Sequence, residues 1–230
     1  MANHRTCYWC RAMFDACKYS VARLDCGQGF CGNGFIVFAG NNTCLMLTCA
    51  HAVKKEESNG STVVSNVSVS FCNGKTFNAR VDYVDEHRDL ALLRADNVDD
   101  ASLSPLRFWE DGDVVTGTDV ILLSFFTMNG MVLVEPGTFP GKILSEPVVF
   151  RKETGKVEEI RLDYISMNGT SGAPVLLPRV NKVVGVNDGA FGTTKTASTV
   201  RMIEEALRQW LQTEDETITI SGMLEMIAGQ

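Results

Sequence analysis

From Ser20 onward the chain is a succession of short β-type runs broken by Gly, Asn and Asp, and that rhythm constrains the fold more than any other feature. Six candidate strands come first: Val21–Cys26, Gly34–Ala39, Thr43–Leu47, Val63–Phe71, Thr76–Val84 and Leu90–Arg94. A polar, Pro-containing stretch from Asn97 to Pro105 follows, the expected link between two halves. The second series reads Asp119–Phe126, Met131–Glu135, Gly141–Ser145, Val148–Arg151, Glu158–Asp163, Pro174–Leu177 and Val183–Val186. Short strands with regular turn punctuation favour a sandwich or barrel over a helical bundle. No internal repeat is legible, which argues against a solenoid or propeller.

Near the end, Ser198 is a candidate cap for a helix in which Val200, Ile203, Leu207, Trp210 and Leu211 fall on one face. That helix should pack back onto the second half. The predicted architecture is therefore all-β: two six-stranded antiparallel β-barrels with a C-terminal helix. The expected boundaries are a Cys-rich arm or helix over 1–18, a first barrel over 19–105, a second barrel plus helix over 106–212, and a tail over 213–230, either an amphipathic turn or disordered.

The 230 residues suffice for one large core or two small ones. A formal net charge of -7, with no Lys/Arg cluster longer than two, argues against nucleic-acid binding, which needs a concentrated basic face. No run reaches the roughly 18 to 20 apolar residues of a membrane span, and the first residues lack the apolar stretch of a secretory signal. The expected location is intracellular, with the cytoplasm first. Five of the eight cysteines lie within the first 31 residues and none beyond Cys72. A disulfide framework could not staple the second half, so reduced thiols are expected.

The strongest chemical signal is Asn168-Gly169-Thr170-Ser171-Gly172-Ala173-Pro174, a serine between glycines just before an apolar strand. Such a turn exposes the hydroxyl and leaves the amides of Gly169 and Ser171 able to converge on a tetrahedral intermediate. A serine hydroxyl needs a base near neutral pH, and imidazole suits the task. Of the three histidines, His51 directly follows an apolar strand, whereas His4 has a weaker context and His87 lies in a charged run typical of a solvated loop. Asp89 heads the apolar run Leu90-Ala91-Leu92-Leu93, where it would be desolvated and could orient a histidine.

At these residues the chain resembles the trypsin-like peptidases, and among them the HtrA/Deg type. The motifs are Gly32-Asn33-Gly34-Phe35-Ile36-Val37, Thr48-Cys49-Ala50-His51, Asp85 through Asp89-Leu90-Ala91-Leu92-Leu93, and Gly169-Thr170-Ser171-Gly172-Ala173-Pro174. The resemblance spans roughly residues 20 to 211 and implies a His51, Asp89, Ser171 triad, with base and acid in the first barrel and nucleophile in the second. It implies an oxyanion hole at Gly169, Thr170 and Ser171. It also implies a substrate-binding surface at Ile165, Asn168, Val186, Asn187, Asp188 and Gly189, with the strand Val183–Val186 and Asn187–Gly189 pairing with the substrate backbone. Ile165 would floor the specificity pocket, and an apolar floor disfavours Lys or Arg substrates. Thr170 stands where secreted trypsins carry an aspartate, so activation by a newly cut N-terminus is not expected. No PDZ domain fits in the residues after the predicted helix.

The implied activity is serine endopeptidase, with a protein or peptide substrate, no cofactor, and neither nucleic acid nor membrane as partner. The Met1–Lys18 arm is a candidate for homo-oligomerisation. The alternative is an inactive relative that keeps the fold as a peptide-binding or scaffolding module. His4, Cys7, Cys10 and Cys17 offer a weak zinc pattern without a second Cys-x2-Cys, so no metal is assigned. Cys49 is a poor alternative nucleophile because it lies two residues from His51 on one strand end.

Overall fold

A computed structural model describes residues 4–57, 60–98, 104–152 and 155–230. The chain opens with helix α1 (His4–Cys17), whose Met13 and Cys17 are buried. The first barrel uses β1 (Val21–Asp25), β2 (Phe30–Gly40), β3 (Thr43–Thr48), β6 (Asn66–Phe71), β7 (Thr76–Asp85) and β8 (Leu90–Asp96), closed in the order β1-β2-β3-β8-β7-β6. The short hairpin of β4 (Lys54–Glu57) and β5 (Gly60–Val63) stands outside it, so the run predicted as one strand over Val63–Phe71 is split.

The second unit begins with β9 (Arg107–Phe108) and β10 (Asp119–Ser124), followed by a small hairpin of β11 (Thr127–Met128) and β12 (Met131–Val132). Then come β13 (Gly137–Lys152), β14 (Gly155–Leu162), β15 (Pro174–Leu177), β16 (Lys182–Phe191) and β17 (Thr194–Thr199). The sheet order β15-β10-β13-β14-β17-β16-β9, with β15 also paired to β16, makes a six-membered ring carrying β9 on its rim. Two expected strands, Gly141–Ser145 and Val148–Arg151, are one long β13 whose register shifts between Ile143 and Val148. Strand β17 went unpredicted because Thr194-Lys195-Thr196-Ala197-Ser198-Thr199 is almost wholly polar and its hydroxyls bond inside the sheet. The predicted link over Asn97–Pro105 falls partly outside the described residues.

Alternation along the strands builds three apolar clusters. Ala22, Leu24, Ile36, Met46, Val69, Ala91 and Leu93 fill the first barrel, and Val120, Leu122, Ile160, Leu162 and Val175 fill the second ring. The opposite faces of the same strands, with Phe35, Leu45, Leu47, Leu90, Leu92, Ile121, Leu123 and Val186, form the largest cluster between them. Strands buried on both faces read as continuous apolar runs, which is why Cys44-Leu45-Met46-Leu47 and Leu90-Ala91-Leu92-Leu93 lack a polar face.

Helix α2 (Val200–Leu211) is capped by Thr199, whose hydroxyl accepts the Met202 N–H at 3.3 Å; the expected cap, Ser198, is instead the penultimate residue of β17. Met202, Ile203, Ala206 and Leu207 are its buried face. The tail, expected to be an amphipathic turn or disordered, contains a third helix, α3 (Ile220–Ala228), which packs on α2, β2 and β3. Its Ile220, Met223, Leu224 and Ile227 are buried, each worth roughly 1.5–3 kcal/mol in transfer free energy. Arg94, itself paired to Asp82 at 2.6 Å, donates to the Ile227 and Ala228 carbonyls that end the helix. The amphipathic spacing was legible, but the groove that receives it is a tertiary product.

Candidate active site

His51 opens a short 3-10 turn (His51–Val53) directly after β3, and Asp89 immediately precedes β8. Strands β3 and β8 pair with Thr48 opposite Ala91, so His51, three residues on, and Asp89, two residues before Ala91, meet just past the end of the ladder. Asp89 holds the histidine twice: Oδ1 accepts the His51 backbone N–H at 2.9 Å, and Oδ2 lies 2.6 Å from Nδ1. The Asp89 carbonyl also accepts the Ala50 N–H at 3.1 Å. This three-point grip requires Asp89 to adopt a left-handed backbone (φ 56), which Asp tolerates better than most residues. The Asp89 bond holds the His51 imidazole above its usual pKa, partial burial opposes that, and the Asp188 charge adds to it.

Ser171 lies in the irregular segment between β14 and β15, anchored from the first barrel. Its carbonyl accepts the Asn33 N–H at 2.7 Å. Asn33 is fully buried; its Nδ2 donates to the Gly169 and Phe125 carbonyls at 2.7 and 3.0 Å, and its Oδ1 accepts the Phe125 N–H. Two glycines make this contact possible. A Cβ on Gly32 would lie 3.0 Å from both the Ala52 Cβ and the Ser171 carbonyl oxygen, so the His51 turn and the Ser171 turn flank one point of β2. A Cβ on Gly172, at φ 78, would lie 2.1 Å from the Asn33 carbonyl oxygen.

Hydrogen bonds also fix the peptide planes around the serine. The Asn168 carbonyl accepts from Thr127 N–H at 3.1 Å and the Thr170 carbonyl from Asn187 Nδ2 at 2.9 Å. Because trans peptides point N–H and C=O in opposite directions, the Gly169 and Ser171 N–H groups face away from those partners. Among the described residues neither amide has an acceptor. Thr170 is different: its N–H and hydroxyl both go to the Met167 carbonyl, so it is not available as an oxyanion donor, contrary to expectation. Among the described residues no hydrogen bond joins Ser171 Oγ to His51.

The expected substrate-binding residues separate into two groups. Val186 is fully buried and paired on both sides, to Pro174 of β15 and Ser198 of β17. Asn187 is likewise occupied: its backbone bonds Gly172 and Ala173 on one side, Ala197 flanks it on the other, and its side chain accepts from Tyr164. These two, and Val183–Val186 as a whole, have no edge to offer a peptide, which corrects the sequence reading. Past a bulge at Asp188, β16 pairs only with β17 among the described residues, and one edge of Asp188, Gly189 and Ala190 has no partner among them. Ile165 is 75% exposed, a position on the surface rather than beneath a formed pocket.

Asp188 is a residue whose setting the sequence did not reveal. Its carboxylate accepts from Thr196 Oγ1 at 2.6 Å and Ser198 Oγ at 3.1 Å, and Ser198 also approaches the Arg88 carbonyl beside Asp89. Burial pushes its carboxyl up to about 6, partly offset by the Thr196 bond. Cys49 is fully buried, donates to the Asn187 carbonyl at 3.3 Å, and burial raises its thiol well above the ordinary range, which removes it as a nucleophile. Cys49 Sγ, a His51 ring nitrogen and an Asp89 oxygen lie within 4.8 Å of one another, but the ring and the carboxylate already engage each other. The zinc pattern of the N-terminal arm falls partly on His4 and Cys7, whose side chains are outside the described residues.

Two barrels with a bonded His–Asp pair on one and a glycine-bracketed serine turn on the other define a class of protein. Residues 32–186 match the family model described as trypsin-like peptidase domain, and the chain belongs to that family. No match was found among curated proteins. Among solved structures, Rv3671c from M. tuberculosis is similar in fold. Its serine-to-alanine mutant in an inactive form superimposes with a TM-score of 0.69 at 22% identity, covering 88% of this chain and 91% of that one. Its active form gives a TM-score of 0.66 at 23% identity over 85% and 82%.

Proposed function

We propose that this chain is a serine endopeptidase in which His51, Asp89 and Ser171 act as the triad. One juxtaposition carries the reading: the turn bearing His51, gripped by Asp89, and the turn bearing Ser171 touch the same glycine, Gly32. In the proposed reaction Ser171 Oγ attacks the scissile carbonyl while His51 Nε2 takes its proton, and Asp89 keeps Nδ1 protonated. The Gly169 and Ser171 N–H groups, without acceptors among the described residues, would stabilise the oxyanion. His51 then protonates the leaving amine, and water releases the acyl-enzyme by the same base. The peptide would add as a strand to the open edge at Asp188 and Gly189, with Asn168 and the apolar Ile165 flanking the side chain before the cleaved bond. A cationic side chain would find no counter-charge in Ile165.

The proposed substrates are proteins or peptides inside the cell; among the described residues no helix is long and apolar enough to cross a membrane. Self-association through the Met1–Lys18 arm would have to use the side of α1 away from Met13 and Cys17, where Tyr8 is 68% exposed.

The missing Ser171–His51 hydrogen bond favours a second reading, an inactive peptide-binding module, although such bonds often tighten only with substrate. A fluorophosphonate probe separates the two. Rapid labelling lost in Ser171→Ala, together with a fall of several powers of ten in peptide hydrolysis, supports the enzyme. Absence of labelling on the folded wild-type chain rejects it.

A further inference from the structure

We propose that Cys26 and Cys31 are a peroxide-responsive thiol pair, which closes a disulfide and thereby loosens the turn that carries His51. The two Sγ atoms lie 2.8 Å apart, closer than non-bonded thiols ordinarily sit. A disulfide needs about 2.05 Å, so closure asks for a shift of less than about 1 Å.

The local fold creates this proximity. In the β1–β2 hairpin, Leu24 pairs with Gly32 and Asp25 with Phe30, which leaves Cys31 as the extra residue of a β-bulge. The turn between the cysteines is fixed by the Asp25 side chain, whose Oδ1 accepts the Gly27 and Gly29 N–H groups at 2.7 and 3.0 Å. Both glycines have positive φ, 86 and 96, so the chain reverses tightly and brings its flanking cysteines together.

The pair is chemically asymmetric. Hydrogen bonding from Cys31 holds Cys26 below the ordinary thiol range, and the same bond, with burial, holds Cys31 above it. Cys17 and Cys44 are pushed up by burial to about 11 and about 12, which keeps them as unreactive thiols. Hydrogen peroxide is small enough to reach Cys26, a residue 8% exposed. The Cys26 thiolate attacks one peroxide oxygen: an S–O bond forms, the O–O bond breaks, hydroxide leaves, and Cys26 becomes a sulfenic acid. Cys31 then attacks the Cys26 sulfur, the S–S bond forms, the S–O bond breaks, and the departing hydroxide takes the Cys31 proton as water. Two thiols are oxidised and one peroxide is reduced to two waters.

Oxidation has a defined structural consequence. In the reduced state the Cys26 thiol donates to the Ala52 carbonyl at 3.2 Å, and Ala52 is buried in the turn beginning at His51. A disulfide sulfur carries no hydrogen, so the carbonyl loses that donor and the turn is held less firmly. Between the two cysteines, Phe30 packs on Gly169: a Cβ there would lie 2.1 Å from its ring. The loop thus touches both halves of the site, and any effect on catalysis rests on the peptidase reading above.

The test uses the full chain, fully reduced, then exposed to stoichiometric hydrogen peroxide. Intact mass should fall by about 2 Da, and peptide mapping should place the link between Cys26 and Cys31. In Cys31→Ser the link is lost and Cys26 is trapped as a sulfenic acid; in Cys26→Ser neither forms. A link between other cysteines, or none, overturns the proposal. Amide hydrogen exchange supplies a readout independent of enzymatic activity: protection at 51–53 should drop about threefold or more on oxidation and return with dithiothreitol, and unchanged exchange rejects the coupling to His51. A chain that forms the link and shows the exchange change, yet never labels with fluorophosphonate, defeats the peptidase reading and leaves this one standing.

Discussion

The two barrels contribute to the site by different routes. In the first, His51 and Asp89 are 38 residues apart in sequence yet sit at the ends of adjacent paired strands, so the bonded His–Asp pair is a local product of one ladder. In the second, Ser171 belongs to no strand. Its turn is held by Asn33 of the first barrel and by Asn187 of β16; Asn33 is in turn braced by the Thr48 hydroxyl, which donates to its carbonyl at 2.6 Å. The His51–Asp89 pair can be built by one barrel folding correctly, whereas the turn of Ser171, the proposed nucleophile, needs both barrels docked. Buried polar networks of this kind hold one arrangement only when every member is satisfied.

The sharpest way to break that comparison is Asp89→Asn. Asn accepts the left-handed backbone at φ 56 as readily as Asp, so folding should survive. With the wrong tautomer of His51 favoured, kcat/KM for peptide hydrolysis should fall by about four powers of ten. A drop of less than tenfold would mean that the first barrel does not supply an acid–base pair.

Gly172→Ala probes the docking. The new Cβ would meet the Asn33 carbonyl at 2.1 Å, and chemical denaturation should report a loss of about 3 kcal/mol or more, with hydrolysis impaired. Gly74→Ala is the matched control: its φ of 84 is equally left-handed, but nothing lies within 4 Å, so about 1–2 kcal/mol is expected. Equal losses would deny the close approach of the barrels its special cost.

The smallest effect comes from Asp188→Asn. The folded chain holds the Asp188 proton up to about pH 6, against an ordinary value of 3.8, so its contribution to stability is complete below 3.8 and is lost as pH rises through 6. Asn should therefore raise the melting temperature at pH 8 by a few degrees, with the gain vanishing near pH 3.5. Because the Asp188 charge also helps hold His51 protonated, the acid limb of kcat/KM should move to lower pH. A limb that stays put would separate Asp188 from the histidine.

Much of the framework was legible. Five of the six strands of the first barrel stand out as runs bounded by Gly, Asn or Asp, since each must satisfy a barrel interior and usually an interface as well. His51, Asp89 and Ser171 were singled out by motif, and the structure bonds the first two. Less was legible where side chains serve other side chains. Asn33 between two glycines in an apolar strand was a signal of a buried polar strap, but its partners, Gly169 and Phe125, lie 136 and 92 residues away. Val186 and Asn187 were mistaken for substrate contacts because a strand's free edge cannot be read from the strand itself.

Composition and alternation thus determined that this chain makes barrels and which residues carry reactive groups, because side-chain polarity and period are properties of the sequence. Tertiary structure decided that the tail becomes α3 against β2 and β3 and, among the described residues, which strand edge stays open at Asp188 and Gly189 and which amides near Ser171 are left without acceptors. Those outcomes depend on which partner reaches each backbone group first, and such competition is settled only when distant segments meet.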